Sequence, residues 1–95
     1  MATIYEVDSK YDADIKVFRV HSKYNADLCV YRVNSKYDAQ GDGLWFLVNS
    51  KYDATAKIFW VNSKYDADVC VYFVNNKYDA KWNKSDHIFV GKFDK

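Results

Sequence analysis

The sequence of 95 residues contains no proline and only three glycines, so the residues that usually make turns are almost missing. Its turns must be made by other side chains. No apolar run approaches the roughly 20 residues that a membrane-spanning helix needs, and no basic-then-apolar leader opens the chain. We therefore expect a soluble, cytoplasmic protein that has no membrane partner.

An excess of charge of one sign is also missing. The chain has 14 basic and 13 acidic residues, a net charge of +1, so it has no broad positive field and we expect no nucleic-acid partner. The only two cysteines, Cys29 and Cys70, occupy equivalent repeat positions, and we interpret them as buried free thiols in strands. His21 and His87 have no ligand partners at metal-binding spacing, so we expect no metal and no cofactor.

What the sequence does contain is a repeat, of which residues 62–67 (Asn-Ser-Lys-Tyr-Asp-Ala) are one copy among six. A valine precedes each copy: Val7, Val20, Val33, Val48, Val61 and Val74. The repeats measure 13, 13, 15, 13, 13 and 16 residues, so residues 7–47 resemble residues 48–89. We predict a single domain over residues 1–95, with a unit of about 13 residues inside a block of about 41.

Each repeat holds one strand candidate and one compact connector. Residues 15–20 and 69–74 are rich in β-branched and aromatic side chains, which is typical of strands. In the connector, Ser63 stands three residues before Asp66, the spacing of a capped helical turn. A strand of six or seven residues would be about 20–23 Å long, and so compact a connector could not carry the chain back that far.

Parallel neighbours need a crossover of about a dozen residues or more, so the connectors favour antiparallel pairing. We predict an all-β fold, an antiparallel meander of about seven short strands joined by helical-turn-like connectors. The meander would close into a barrel or sandwich, through a dimer if one face stays uncovered. A parallel solenoid is the alternative.

The repeated polar residues suggest structure more than chemistry. We expect the six repeat tyrosines to fold back as lids over strand ends; the alternative is a ring of stacking platforms for a sugar or a base. Asp14 and Asp68 each follow another aspartate by two positions, a pattern that calcium could use, but loop formation explains it better. Catalytic groups are needed once, whereas these residues recur in each repeat, so we expect no enzyme activity.

Interruptions of the repeat are the candidate sites. Insertions at residues 40–43 and 81–86 each bring a tryptophan close to polar residues, and Trp60 departs from the repeat at its own position. The candidate ligand-binding or interface residues are Trp45, Trp60, Trp82, Asp42 and Asn83. We first expect a structural or interaction module that self-associates through its β-sheet, as a homo-oligomer with a dimer favoured. The alternative is a protein that binds a small molecule or glycan with these tryptophans.

The repeat phrase Val-Asn/Asp-Ser-Lys-Tyr-Asp-Ala-Asp, followed by an aliphatic-x-Val-Tyr/Phe strand, recurs from Val7 to Ala80. It resembles a family of small bacterial tandem-repeat proteins of uncharacterised function, in which a Val-Asp-Ser-x-Tyr-x-Ala-Asp unit recurs at this period. The resemblance implies a small bacterial or phage-like protein, and it implies no activity and no site residues.

Overall fold

The computed structural model describes residues 1–95. Six short strands in it close into a parallel β-barrel. The strands are β1 (Ala2–Glu6), β2 (Ile15–Arg19), β3 (Leu28–Arg32), β4 (Leu44–Leu47), β5 (Ala56–Trp60) and β6 (Val69–Phe73). Around the barrel they lie in the order β1, β5, β2, β6, β3, β4, and β4 pairs with β1 to close the ring. A two-residue strand, β7 (Lys81–Trp82), pairs antiparallel with the start of β3 outside the barrel.

The predicted antiparallel meander is therefore wrong, because all six pairs within the barrel are parallel. The chain places β1, β2 and β3 at alternating positions and then fills the gaps, with β5 between β1 and β2 and β6 between β2 and β3. The two similar halves of the sequence are thus interleaved around one core. None of the helices has the length and apolar character needed to cross a membrane.

The stagger of the strands explains how short connectors can join parallel strands. Glu6 ends β1 and Ile15 begins β2, and both are register partners of Ile58 in β5. They are therefore only two strand spacings apart, about 10 Å. Arg19 and Leu28 flank Val71 in the same way. A long return path would be needed only if each strand began level with the start of the previous one, and the stagger removes that need.

Each connector contains one turn of 3-10 helix, and the turns are Lys10–Asp12, Lys23–Asn25, Lys36–Asp38, Lys51–Asp53, Lys64–Asp66 and Lys77–Asp79. The predicted capping by serine is confirmed: the Ser63 hydroxyl accepts the N–H of Tyr65 at 3.2 Å. Ser63 and Ala67 on either side of the turn have extended backbones. The connector is therefore two extended arms with a compact centre, long enough to pass over one strand.

Both ends of a connector are hydrogen-bonded to the strand that it crosses. Val7 donates its N–H to the carbonyl of Ile58 at 2.9 Å, and Asp14 donates its N–H to the carbonyl of Lys57 at 2.8 Å. The Asp14 carboxylate in turn accepts the Lys57 N–H at 2.9 Å. Asp27 and Asp68 make the same pair of bonds with Cys70 and Lys16 respectively. In these three copies, the aspartate that follows the alanine therefore adds a side-chain rung to the sheet.

Alternation along the strands fills the barrel interior with aliphatic side chains and one tryptophan. Its fully buried strand residues are Ala2, Ile4, Ile15, Val17, Leu28, Val30, Trp45, Ala56, Ile58, Val69 and Val71. Outward residues such as Phe18 and Phe59 are half-buried, because the connectors cross the outer wall. This cover explains why both faces of the strands carry apolar side chains in the sequence.

The repeat tyrosines do not cover strand ends, so that prediction is wrong. The six rings, Tyr11, Tyr24, Tyr37, Tyr52, Tyr65 and Tyr78, are 68–88% exposed. Each ring has the ammonium of the preceding lysine 5.3–5.4 Å from its centroid. They are exposed because the 3-10 turns stand on the outer wall of the barrel rather than over its ends.

Replacing Asp68 with alanine is expected to lower the free energy of unfolding by about 1–3 kcal/mol, because the Lys16 N–H loses a charged acceptor. Asp66→Ala is the matched control: Asp66 is exposed in the same connector, and its loss should cost less than about 0.5 kcal/mol. Urea unfolding of the two variants measures the difference. Equal destabilisation would contradict the role given to Asp68.

Candidate functional site at the carboxyl end of the barrel

The amino end of the barrel is closed by the C-terminal segment. Phe93 is fully buried in the core, and its ring centroid lies 5.3 Å from that of Trp45. The Thr55 hydroxyl donates to the Phe93 carbonyl at 2.7 Å. The carboxylate of Asp94 accepts hydrogen bonds from the N-terminal ammonium and from Gly41 N–H. We call this closure, centred on Phe93, the amino-end seal.

Asp42 holds the amino-end seal in place. Its buried carboxylate accepts the backbone N–H groups of Gly91 (2.6 Å), Phe93 (3.2 Å) and Asp94 (2.8 Å). It also accepts the indole N–H of Trp82 at 2.8 Å. Four donors around one buried carboxylate satisfy its charge without a counter-ion. Asp42, a candidate ligand residue from the sequence, therefore binds the chain's own terminus.

Two other candidate residues also have partners within the fold. Trp45 lies inside the barrel with no exposed surface and donates its indole N–H to the Asp42 carbonyl at 2.7 Å. The Asn83 amide donates to the carbonyls of Lys23 (2.8 Å) and Ala26 (3.0 Å), which ties the segment after β7 to the second connector. The structure thus brings Trp45, Trp82 and Asp42 together at the seal. Trp60 packs against Trp45 from the barrel interior, with ring centroids 6.4 Å apart, and Asn83 bonds to the second connector instead.

Trp60 lies at the other end of the barrel. Because all six strands are parallel, their last residues share this end, and these residues are Glu6, Arg19, Arg32, Leu47, Trp60 and Phe73. Each is two positions after an interior residue and so belongs to the inward face. We call this set of six residues the carboxyl mouth. It has no counterpart of the amino-end seal.

The centre of the carboxyl mouth is Phe73, with an arginine on each neighbouring strand. The Arg19 and Arg32 guanidinium carbons lie 4.9 and 4.6 Å from the Phe73 ring centroid. The Trp60 ring packs against Phe73 with centroids 5.9 Å apart. Its indole N–H donates to the Glu6 carboxylate at 2.6 Å. The mouth therefore has an aromatic floor, a cationic side and one acidic group that is already engaged.

The two guanidinium groups lack anionic partners within the chain. The three ion pairs involve the N-terminus, Lys84 and His87, so no carboxylate lies within 4.0 Å of either arginine. Both arginines are exposed, and they border a cavity of about 340 Å³ above Phe73. Two like charges that share one ring repel each other, and a bound anion would relieve that repulsion.

Sequence reasoning found Trp60 but missed Glu6, Arg19, Arg32 and Phe73 as parts of one site. A signal was present: the residue before the repeat valine is Glu, Arg, Arg, Leu, Trp or Phe, while the residues after it hardly change. Variation at one fixed repeat position is a sign of function where the repeat otherwise builds the fold. Only the parallel order of the strands reveals that these residues meet.

Cys70 lies beside a second charged cluster on the outer wall. The Asp27 carboxylate accepts the Cys70 N–H at 2.9 Å and is 3.0 Å from the Lys84 ammonium and 3.7 Å from the His87 ring nitrogen Nε2. Burial raises the pKa of the Cys70 thiol above its ordinary value of 9.0, and the negative charge of Asp27 raises it further. The hydrogen bond from Lys84 to Asp27 raises the pKa of that ammonium. Cys70 is therefore a neutral thiol near pH 7.

Alkylation of Cys70 by iodoacetamide is expected to be slow at pH 7.5 and to accelerate as the pH passes 9.0. Asp27→Asn removes a negative charge, lowers the thiol pKa and should raise the rate at pH 8. Asp14→Asn is the control, because Asp14 bonds to Lys57 instead. Mass spectrometry in a Cys29→Ser background measures both rates, and identical rates would refute the electrostatic effect of Asp27.

Phe93→Ala is expected to lower the free energy of unfolding by about 3–5 kcal/mol, because it empties a fully buried site. Ile88→Ala changes a residue of the same segment that is 82% exposed, and it should cost less than about 0.5 kcal/mol. Denaturant unfolding followed by tryptophan fluorescence compares them. A small effect of Phe93→Ala would show that the seal is not part of the core.

Comparison with known proteins matches residues 1–83 to the model of one family, the 7(1) septoil knot domain. No curated protein and no solved structure matches the chain. The match covers the six barrel strands and β7, and it supports the expectation of a tandem-repeat family. The chain belongs to the family of the 7(1) septoil knot domain.

Proposed function

We propose that the protein is a non-enzymatic binding module that takes a small anionic ligand at the carboxyl mouth. The observation that carries this proposal is the pair of exposed guanidinium groups, Arg19 and Arg32, held on the two sides of Phe73 without a carboxylate partner. An arginine fork matches the oxygens of a carboxylate or phosphate with two parallel hydrogen bonds. Stacking on an aromatic ring restricts the guanidinium planes before a ligand arrives.

The position of the pair supports a binding role. In sheets and barrels of parallel strands, ligands commonly bind at the carboxyl ends of the strands; this is an analogy with other parallel-strand folds. Trp60 and Phe73 would offer apolar contact to the rest of the ligand, which keeps Trp60 in the role suggested for it by the sequence. The Glu6 carboxylate, bonded to Trp60, would disfavour ligands that place a second anion on that side.

Self-association through the β-sheet remains a prediction, with sedimentation velocity as its test. Closure of the barrel pairs each of the six strands on both sides, which leaves few unpaired edges for such contacts. A dimer would need another surface, such as the exposed tyrosines of the connectors. A bacterial origin, the specific repeat-motif family and a cytoplasmic location likewise remain predictions.

Isothermal titration with inorganic phosphate tests the proposed site. We expect saturable binding of one phosphate per chain that weakens as the salt concentration rises. Arg32→Gln should weaken it about 10-fold or more, because a hydrogen bond to a charged group is lost.

Lys36→Gln removes one exposed positive charge from a connector outside the mouth and serves as the control. Its affinity for phosphate should stay within about twofold of the unchanged protein, which corresponds to a weak screened interaction. If both variants lose affinity equally, the binding is a diffuse charge effect and the mouth is not the site. Absence of saturation at millimolar phosphate would also refute the proposal.

A further inference from the structure

The outer wall of the barrel carries the same groove in three places. Each copy lies between two connectors and has as its floor an outward strand residue beside its register partner. The three floor pairs are Cys29 with Tyr72, Lys16 with Phe59, and Lys57 with Tyr5. The repeat thus supplies an internal comparison of the floor residue, and the copy over Cys29 differs further in being bordered by Lys81 and Asn83 of the β7 segment.

The copy above Cys29 is the most spacious. Its cavity is about 650 Å³, against about 470 Å³ over Lys16 and about 270 Å³ beside Lys57. A lysine at the floor position places a long side chain in the groove, whereas the cysteine side chain is short and buried. We call this copy, with Cys29 and Tyr72 as its floor, the Cys29 groove. Its volume is in the range of small-molecule sites.

A fourth floor pair contains the second cysteine. Cys70 is the register partner of Phe18, and it is half-buried whereas Cys29 is buried. There the Lys84 ammonium reaches the Asp27 carboxylate, which also accepts the Cys70 N–H. The Cys29 groove differs in its walls, because Asp79, Lys81 and Asn83 surround its floor instead of the Asp27 cluster.

The lining of the Cys29 groove suits a ring that carries hydroxyl groups. Tyr72 provides an aromatic face for the C–H side of such a ring. Around it lie amide, carboxylate and ammonium groups that can exchange hydrogen bonds with hydroxyls. These polar groups belong to Lys23, Asn75, Asp79 and Lys81, while the amide of Asn83 is already bonded to the second connector. An aromatic base offers fewer hydrogen-bonding groups and would leave more of them unpaired.

The Cys29 groove adjoins the carboxyl mouth. Val74 and Asn75 line both the groove and the cavity above Phe73. A ligand with its anion at the arginine pair would therefore extend past Asn75 into the groove. We propose that the ligand is a phosphorylated or acidic sugar, with its anion on Arg19 and Arg32 and its ring in the Cys29 groove. This inference rests on the function proposed for the mouth.

Titration calorimetry with inorganic phosphate, glucose 6-phosphate and adenosine monophosphate tests the inference. We expect glucose 6-phosphate to bind about 10-fold tighter than phosphate, the gain of two or three net hydrogen bonds. Cys29→Lys should remove this advantage and leave the phosphate affinity unchanged. The substitution installs the residue found at the same strand position in two other copies, Lys16 and Lys57, here beside β7.

A second pair of variants gives a test that does not depend on the folding of Cys29→Lys. Asp79→Ala removes an exposed carboxylate of the groove and should weaken only glucose 6-phosphate, by about 5-fold or more. Asp66→Ala changes the equivalent residue of the Lys16 copy and should have no effect.

The outcomes separate this inference from the proposed function. Equal binding of phosphate and glucose 6-phosphate, both sensitive to Arg32→Gln, would overturn the groove and leave the mouth as the anion site. Equal losses in Asp79→Ala and Asp66→Ala would overturn it as well. Tighter binding of adenosine monophosphate that Cys29→Lys abolishes would assign the groove to a base and reject the sugar. Failure of all three probes to bind would refute the proposed function itself.

Discussion

Everything in this fold depends on one geometric relation, in which the end of one strand and the start of the next flank the same residue of the strand between them. Ile58 has Glu6 on one side and Ile15 on the other, and Val71 has Arg19 and Leu28. Because the required step is sideways and short, eight residues can connect parallel strands. The bonds that each connector makes to the strand beneath it fix the stagger.

The same relation distinguishes the residues that the fold requires in each repeat from the residues that can vary. The Ser-Lys-Tyr-Asp-Ala connector caps its own turn, and the following Asp14, Asp27 or Asp68 bonds to the sheet. These positions recur at most strand crossings, and Thr55 takes the place of the aspartate where the chain crosses β1. The residue before the valine has no such task, so it can be Arg32 in one copy and Trp60 in another. Parallel strands then gather these variable positions at one end.

The sequence predicted the local chemistry better than the long-range arrangement. The strands could be predicted from the β-branched runs, and the capped turns from residues such as Ser63, because strands and capped turns both depend on neighbours in the chain. The direction of the strands did not, since the stagger that places Ile15 level with Glu6 arises only when the sheet closes. Tyr65 was misjudged for the same reason: its exposure depends on where the connector runs. The seal was also missed, because nothing local links Asp42 to Phe93.

The two ends of the barrel serve different purposes as a result. Asp42 gathers four donors to hold Phe93 in the amino end, where the chain terminus completes the core. The carboxyl end keeps charged and aromatic side chains at the surface instead. Closing one end with the chain's own tail lets the other end carry exposed arginines without a loss of core packing.

The interleaving of the two halves governs when the protein can fold. β1, β2 and β3 do not pair with one another, and β5 and β6 must lie between them before most ladder hydrogen bonds exist. During synthesis, the first half of the chain can pair only β4 with β1 and β3, while β2 has no partner until β5 and β6 follow. Contacts between residues so distant in the chain make for slow folding. The unpaired β2 is therefore exposed on the nascent chain until β5 and β6 have emerged, and such exposed strand edges favour aggregation.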